Sequence, residues 1–199
     1  MKLINTYKIS TRLFLAIVIL FFSFQTWSKA DSVKEFEIEG MSIGNSALDF
    51  FSKVKINKSK QNYYNDDEFI PVYIENNSFR DYEGVQFHYK KKDKKYKFVA
   101  LEGVLFPGKK KANCYKKQNE IFNDLKKIFP AAKIDEYDGK HAQDKSGKST
   151  FRTIEFFLED GSISIDCYFW DKEMGYPNNL RVSILKKSFL NWIDNKAYN

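Results

Sequence analysis

One five-residue stretch has the spacing of a catalytic motif. Residues 40–44 read Gly-Met-Ser-Ile-Gly, the G-x-S-x-G pattern in which Ser42 would be the nucleophile of a hydrolase. Such a serine needs a histidine partner, and the chain contains only His88 and His141. Ser42 also lies too near the start of the chain for the parallel strands that precede a nucleophile elbow. We therefore interpret the segment as a glycine-bounded turn between a strand and a helix.

A second stretch resembles a phosphate-binding loop. Residues 142–149 read Ala-Gln-Asp-Lys-Ser-Gly-Lys-Ser, with Ala142 where the strict motif has glycine. A working loop follows a buried strand and opens a helix, so that backbone amides meet the phosphates. Here a strand pattern follows instead. The sequence predicts a solvated loop, no nucleotide cofactor and, because histidines and acids are scattered, no metal site.

The same region supplies a candidate binding loop. His141, Asp144 and Lys148 place a titratable ring, a carboxylate and an ammonium within eight residues. Binding residues are often carried on loops that rigid elements hold in place. A mobile polar loop without a ligand is the alternative.

Aromatic side chains form a second candidate site. Phe157 and Tyr168 fall on the outward positions of two neighbouring strands, and Trp170 begins the next loop. An aromatic face of this kind could stack sugars or bind an apolar partner. The alternative is a cover from elsewhere in the chain, for which the N-terminal segment is available.

The elements that must position these residues indicate an α+β fold. Hairpin patterns dominate the second half, including a pair of strands joined at Asp160-Gly161. A helix is predicted from about Cys114 to Phe129, ending at Pro130. Further strands are predicted over KEFEIEG, FIPVYIE, GVQFHYK, KYKFVALEGVLF and NLRVSIL, and further helices over SALDFFSKV and SFLNWIDNKAY. We predict an antiparallel sheet of hairpins with helices packed on one face.

Two cysteines are predicted to connect the helix to the sheet. Cys114 shares the apolar face of the predicted helix, and Cys167 alternates with the core positions of a strand. In an oxidising compartment a bond between them is the expected state. Two free buried thiols are the alternative.

The first thirty residues have the organisation of a secretory signal. A basic start precedes the apolar run Leu13–Phe22, and small residues stand before the predicted cleavage after Ala30. The whole chain carries +7, and the four basic residues of the signal leave only +3 on residues 31–199. Nucleic acid is therefore not an expected partner. We predict one domain over residues 31–199, without a transmembrane segment and with polar loops at 57–68 and 133–149.

Several stretches give the chain a family resemblance. FEIEGMSIGNSALDFF, the CYKKQNEI start of the long helix, DKSGKST and NWIDNKAY resemble small exported proteins of marine alphaproteobacteria. The resemblance implies export and supplies no activity and no catalytic residues.

Taken together, these patterns favour an exported, non-catalytic binding or accessory protein, periplasmic if the source is Gram-negative. Its partner would be a small ligand or an envelope protein. An enzyme of unrecognised type and an accessory protein of outer-membrane assembly are the alternatives.

Overall fold

The computed structural model describes residues 31–199, and the predicted signal, residues 1–30, lies outside them. The strands are β1 (Phe69–Glu75), β2 (Gly84–Lys90), β3 (Ala100–Leu105), β4 (Lys133–Lys140), β5 (Thr150–Leu158), β6 (Gly161–Phe169) and β7 (Asn179–Lys186). The helices are α1 (Lys53–Lys58), α2 (Lys111–Ile128) and α3 (Lys187–Asn195). Within this part of the chain, no helix is both long enough and apolar enough to cross a membrane.

All seven strands form one antiparallel sheet in the order β1-β2-β3-β7-β6-β5-β4. The last strand, β7, lies between the two hairpin groups and pairs with β3 on one side and β6 on the other. Pro71 lies in β1 at the sheet's edge, where a missing backbone donor is tolerated. The predicted α+β fold with an antiparallel sheet and one disulfide is confirmed.

The long helix α2 packs on one face of the sheet, which we call the core face. Its apolar stripe lies over inward positions of the central strands, including Ile165 and Val182, which are fully buried. The disulfide Cys114–Cys167 joins α2 to β6 with a Cα separation of 6.1 Å. Nearby, the side-chain amide of Gln118 donates to the backbone carbonyl of Ile165 at 2.6 Å, which adds a polar link between helix and sheet.

The opposite face of the sheet, here called the second face, is only partly covered. At its β1–β3 end lies α3, whose Phe189 and Trp192 are buried against Phe69 and Ala100. The segment between α1 and β1 also packs there, because Tyr64 contacts Trp192 with ring centroids 4.8 Å apart. The N-terminal segment does not provide this cover. It packs on the core face instead, where Phe51 stacks on a ring of β2.

The start of the chain differs from its predicted elements. KEFEIEG was expected to be a strand, but it contains a 3₁₀ turn, Val33–Glu35, followed by a single bridge between Ile38 and Met41. The helix expected over SALDFFSKV is divided into a 3₁₀ turn, Ala47–Asp49, and the separate helix α1. The N-terminal segment packs closely against the rest of the domain. Its tertiary contacts therefore override the strand and helix patterns of its sequence.

Two details of the second half also need correction. The predicted loop at 133–149 begins as the strand β4, and only residues 141–149 form a loop. Strand β4 was missed because it is an edge strand with mostly exposed polar residues. The tight turn is formed by Glu159 and Asp160, since Leu158 pairs with Gly161. The polar loop predicted at 57–68 is present apart from the last turn of α1.

We predict that removing the disulfide costs much of the protein's stability. Changing Cys114 and Cys167 together to alanine frees a loop with a sequence separation of 53 residues. In the chain-entropy model, the free energy of unfolding should fall by about 4 kcal/mol. Urea denaturation of wild type and variant without reductant measures this difference. Reductant should bring the wild type close to the variant, and equal stabilities in its absence would contradict the prediction.

A second prediction concerns the close approach of strands at Gly161. A Cβ at this position would lie 1.9 Å from the backbone oxygen of Leu185, so the strands must separate to accept one. We expect Gly161→Ala to lower the free energy of unfolding by about 1–3 kcal/mol. Gly139→Ala is the matched control, because its Cβ would meet only the Phe151 ring, at 3.4 Å. If thermal denaturation showed that Gly161→Ala and Gly139→Ala lose the same stability, the close approach of the strands at Gly161 would not be a constraint on the fold.

Candidate functional site

The G-x-S-x-G segment is a turn, as interpreted from the sequence. Gly40 and Gly44 have φ angles of 75° and 94°, in the left-handed region that glycine tolerates. The Ser42 hydroxyl donates to Glu37 at 3.4 Å, and its backbone N–H donates to the Asn45 side chain at 2.8 Å. Within residues 31–199, no hydrogen bond joins Ser42 to a histidine. The arrangement does not activate this serine.

The predicted binding loop is held together by its own carboxylate. Asp144 accepts the backbone N–H groups of Ser146 at 2.9 Å and Ser149 at 2.7 Å. Hydrogen bonding from the Ser146 and Ser149 side chains, together with these backbone N–H groups, holds the pKa of Asp144 well below its usual range. Asp144 is therefore occupied in shaping the loop, and Lys148 is exposed. Of the three candidates, His141 lines a cavity, whose lining includes neither Asp144 nor Lys148.

That cavity is a cleft of about 520 Å³ on the second face, between the sheet and the segments that partly cover it. Its volume is typical of a small-molecule site. The lining side chains are mostly aromatic or polar: Asn62, Tyr63, Tyr64, Tyr73, Glu75, Gln86, Val104, Phe106, His141, Gln143, Tyr168, Trp170, Tyr176, Pro177, Asn179, Arg181 and Tyr198. The residues are spread from Asn62 to Tyr198, so the fold, not sequence proximity, brings them together.

The polar floor of the cleft, formed by Gln86 and Arg181, rests on one buried carboxylate. Glu102 accepts the Arg181 guanidinium at 2.9 Å through Oε2 and the Gln86 amide at 2.9 Å through Oε1. Its side chain is 10 % exposed, whereas that of Arg181 is 29 % exposed and reaches the cleft. The oxygen of the Gln86 amide, Oε1, is buried and has no hydrogen-bond partner in the described chain. The Gln86 side chain lines the cleft, and a ligand reaches this acceptor only when the side chain turns toward it, because the oxygen itself has almost no exposed surface.

A buried histidine supports one end of this floor. His88 lies beneath α3, with its ring centroid 4.5 Å from that of Phe189. Its Nε2 is 3.0 Å from the hydroxyl of Tyr64, a residue that lines the cleft. Burial lowers the pKa of His88 to about 4, so the ring is neutral near pH 7. His88 therefore positions Tyr64 and does not add charge to the site.

An aromatic wall, formed by Tyr168, Trp170, Tyr176 and His141, lies on the other side of the cleft. The rings of Tyr168 and Trp170 are nearly parallel, at 18° with centroids 6.0 Å apart. His141 and Tyr176 flank Trp170 with centroid distances of 4.2 and 5.0 Å. Two residues of the predicted aromatic face are therefore brought together. The third, Phe157, lies at the far end of β5 and does not line the cleft.

A second buried carboxylate lies on the same face outside the cleft. Asp166 accepts the hydroxyl groups of Thr153 and Ser164, each at 2.6 Å. Burial raises its pKa to about 6, although both hydrogen bonds act in the opposite direction. Both of its oxygens have partners, and Asp166 does not touch the cavity.

The chemistry available at the cleft is recognition through rings and hydrogen bonds. The carboxylates nearest its floor, Glu102 and Asp166, are held by neighbouring side chains. Residues 31–199 contain no group of three or more histidine, cysteine or acidic residues arranged to hold a metal ion. Sequence reasoning found Tyr168, Trp170 and His141. It missed Gln86 and Arg181. The one feature of the sequence that could have indicated them is that they alternate with apolar core residues along two central strands.

The raised pKa of Asp166 predicts a specific pH dependence of stability. Its pKa is about 6 in the folded protein, against an ordinary value of 3.8. The folded state therefore holds a proton that the unfolded chain releases, and stability is lost as the pH rises from 4 to 6. Asp166→Asn should avoid this loss. Relative to wild type, we expect the variant to gain up to about 3 kcal/mol between pH 4 and pH 7.

Chemical denaturation across this pH range measures the free energy of unfolding of wild type and variant. Subtracting one from the other removes the contribution of the other titrating groups, which the two proteins share. Asp138→Asn removes an exposed carboxylate of β4 and controls for the change in net charge. A difference between wild type and Asp166→Asn that stays constant with pH would show that burial does not perturb this group.

Comparisons with protein-family models, with curated proteins and with solved structures each give no significant match.

Proposed function

We propose that this protein is an exported, non-catalytic binding protein that holds a small organic ligand in the cleft on the second face. The observation that carries the proposal is the combination of a cleft of about 520 Å³, aromatic walls and the unpartnered buried oxygen of Gln86. An unpaired buried acceptor costs folding free energy. A ligand donor would remove that cost in the bound state.

Binding fits the site better than catalysis does. Glu102 already holds Arg181 and Gln86, and its side chain is mostly buried. A general acid or base needs a proton-transferring group within hydrogen-bond reach of the ligand. Glu75 and His141 both line the cleft, and no hydrogen bond within residues 31–199 joins them. Preformed rings and amides instead provide orientation and contact area.

Export is supported by the signal-like pattern of residues 1–30 and by the resemblance to small exported proteins. The disulfide between α2 and β6 agrees with an oxidising compartment. A periplasmic location follows if the source is Gram-negative. Its ligand would then be a molecule present in that compartment.

A thermal-shift experiment tests binding at the cleft. The purified protein is heated with individual fractions of small molecules extracted from the cell envelope. A ligand at about 100 times its Kd should stabilise the folded protein by about 2.7 kcal/mol. Trp170→Ala removes the central ring of the aromatic wall, and we expect at least a tenfold loss of affinity.

Phe157→Ala is the matched control for that experiment. Phe157 is an aromatic residue of the same hairpin and the same face, is 40 % exposed, and lies outside the cleft. This variant should retain the stabilisation seen with the wild type. Loss of stabilisation in both variants, or in neither, would contradict binding at the cleft. The same conclusion would follow if no fraction stabilised the wild type.

A further inference from the structure

We infer that the cleft takes a neutral carbohydrate, with one sugar ring stacked on the aromatic wall and its hydroxyl groups bonded to the polar floor. This inference rests on the proposed function, because it names the ligand class of the same site. Charge balance, hydrogen-bonding capacity and ring geometry each support it.

The charges at the cleft favour a ligand without net charge. Among the described lining residues, Arg181 and Glu75 are the charged pair, with one charge of each sign. The Arg181 charge is already balanced by Glu102 at 2.9 Å. Its Nε donates to Asn179 at 3.3 Å and its Nη1 to Glu102. Its Nη2 is without a partner in residues 31–199, but the charge that would attract a carboxylate or phosphate is already balanced within the protein.

The hydrogen-bonding groups that remain free are of both kinds. Gln86 has the unpartnered but buried acceptor Oε1, which a turn of its side chain would bring to the ligand, whereas Arg181 Nη2 offers a donor. An anion only accepts hydrogen bonds and would be repelled by the Gln86 oxygen. A hydroxyl group both donates and accepts, so neighbouring hydroxyls on one ring can satisfy both. The tyrosine hydroxyls around the cleft have the same dual capacity.

The aromatic wall suits the apolar side of a sugar ring. Tyr168 and Trp170 stack at 18° to one another, with ring centroids 6.0 Å apart, beside the floor. Aromatic faces carry negative charge density, which attracts the weakly positive C–H groups of a pyranose. Tyr176 is 56 % exposed and packs edge-on to Trp170, which extends the surface toward solvent. A ring bound there would place its hydroxyl edge toward Arg181, whose guanidinium carbon lies 5.9 Å from the centre of the Tyr168 ring.

Calorimetric titration of the purified full-length protein tests the ligand class. The neutral probes are maltotriose, cellotriose and N-acetylated chitotriose. A trigalacturonate is the charged counterpart, and adenosine is the planar heterocycle. We expect at least one neutral trisaccharide to bind more tightly than trigalacturonate and adenosine, with an affinity that does not depend on salt, because no ionic contact is made.

Three variants locate the binding. Gln86→Leu removes the unpartnered acceptor, and Tyr176→Ala removes an exposed ring that the fold does not need. Each should weaken binding of the trisaccharide at least tenfold, whereas Phe157→Ala should leave it unchanged. Circular dichroism of Gln86→Leu shows whether it is folded, and Tyr176→Ala keeps the test decisive if it is not.

The two proposals fail in different ways. Tighter binding of trigalacturonate or adenosine, weakened by Tyr176→Ala, would overturn the carbohydrate inference and leave the binding function standing. A neutral sugar whose binding is unaffected by Gln86→Leu and Tyr176→Ala would also overturn it, because the site would lie elsewhere. Failure of all five probes overturns the carbohydrate inference. If the envelope fractions give no stabilisation either, the binding function is overturned as well.

Discussion

The second face of the sheet depends on the buried carboxylate of Glu102. This group accepts hydrogen bonds from Gln86 on β2 and Arg181 on β7, two strands that lie on either side of its own strand, β3. A carboxylate with so little access to water is tolerated only when it is paired and hydrogen-bonded. The need to pair this carboxylate fixes the Gln86 and Arg181 side chains on the two neighbouring strands. The orientation of the cleft floor is therefore a consequence of satisfying Glu102.

The same constraint explains why the two faces of the sheet differ. On the core face, α2 and the N-terminal segment bury apolar side chains, and the disulfide holds the helix in register with β6. On the second face, covering the polar side chains at the centre with an apolar layer would remove the remaining water contact of the Arg181 charge, which costs free energy. The chain covers only one end of that face, with α3 and Tyr64. An open cleft remains over the polar middle.

An element of this fold could be predicted from the sequence when its apolar residues recur with the clear spacing of a strand or a helix. Strand β2 and the β5–β6 hairpin have clear alternation and a short turn, so the sequence identified them. The sequence did not identify strand β4, because it is an edge strand of mostly exposed residues and Ile134 is its one described side chain that packs against the apolar core. The disulfide could be predicted because Cys114 lies on the apolar face of a recognisable helix and Cys167 on the apolar face of a recognisable strand. The N-terminal segment follows tertiary contacts, which no local pattern records.

The candidate site was harder to predict, because its residues meet only through the topology. Tyr168 and Trp170 were recognised as an outward aromatic pair, but Phe157 lies on the same face of the same hairpin and is excluded by distance along the strand. Gln86 and Arg181 come from strands separated by β3. They are close together because β7, the last strand in the sequence, lies at the centre of the sheet beside β3. That position of β7 places an arginine beside a buried carboxylate. Once Glu102 has balanced its charge, the guanidinium keeps unpartnered N–H groups, which a neutral hydroxyl group can accept.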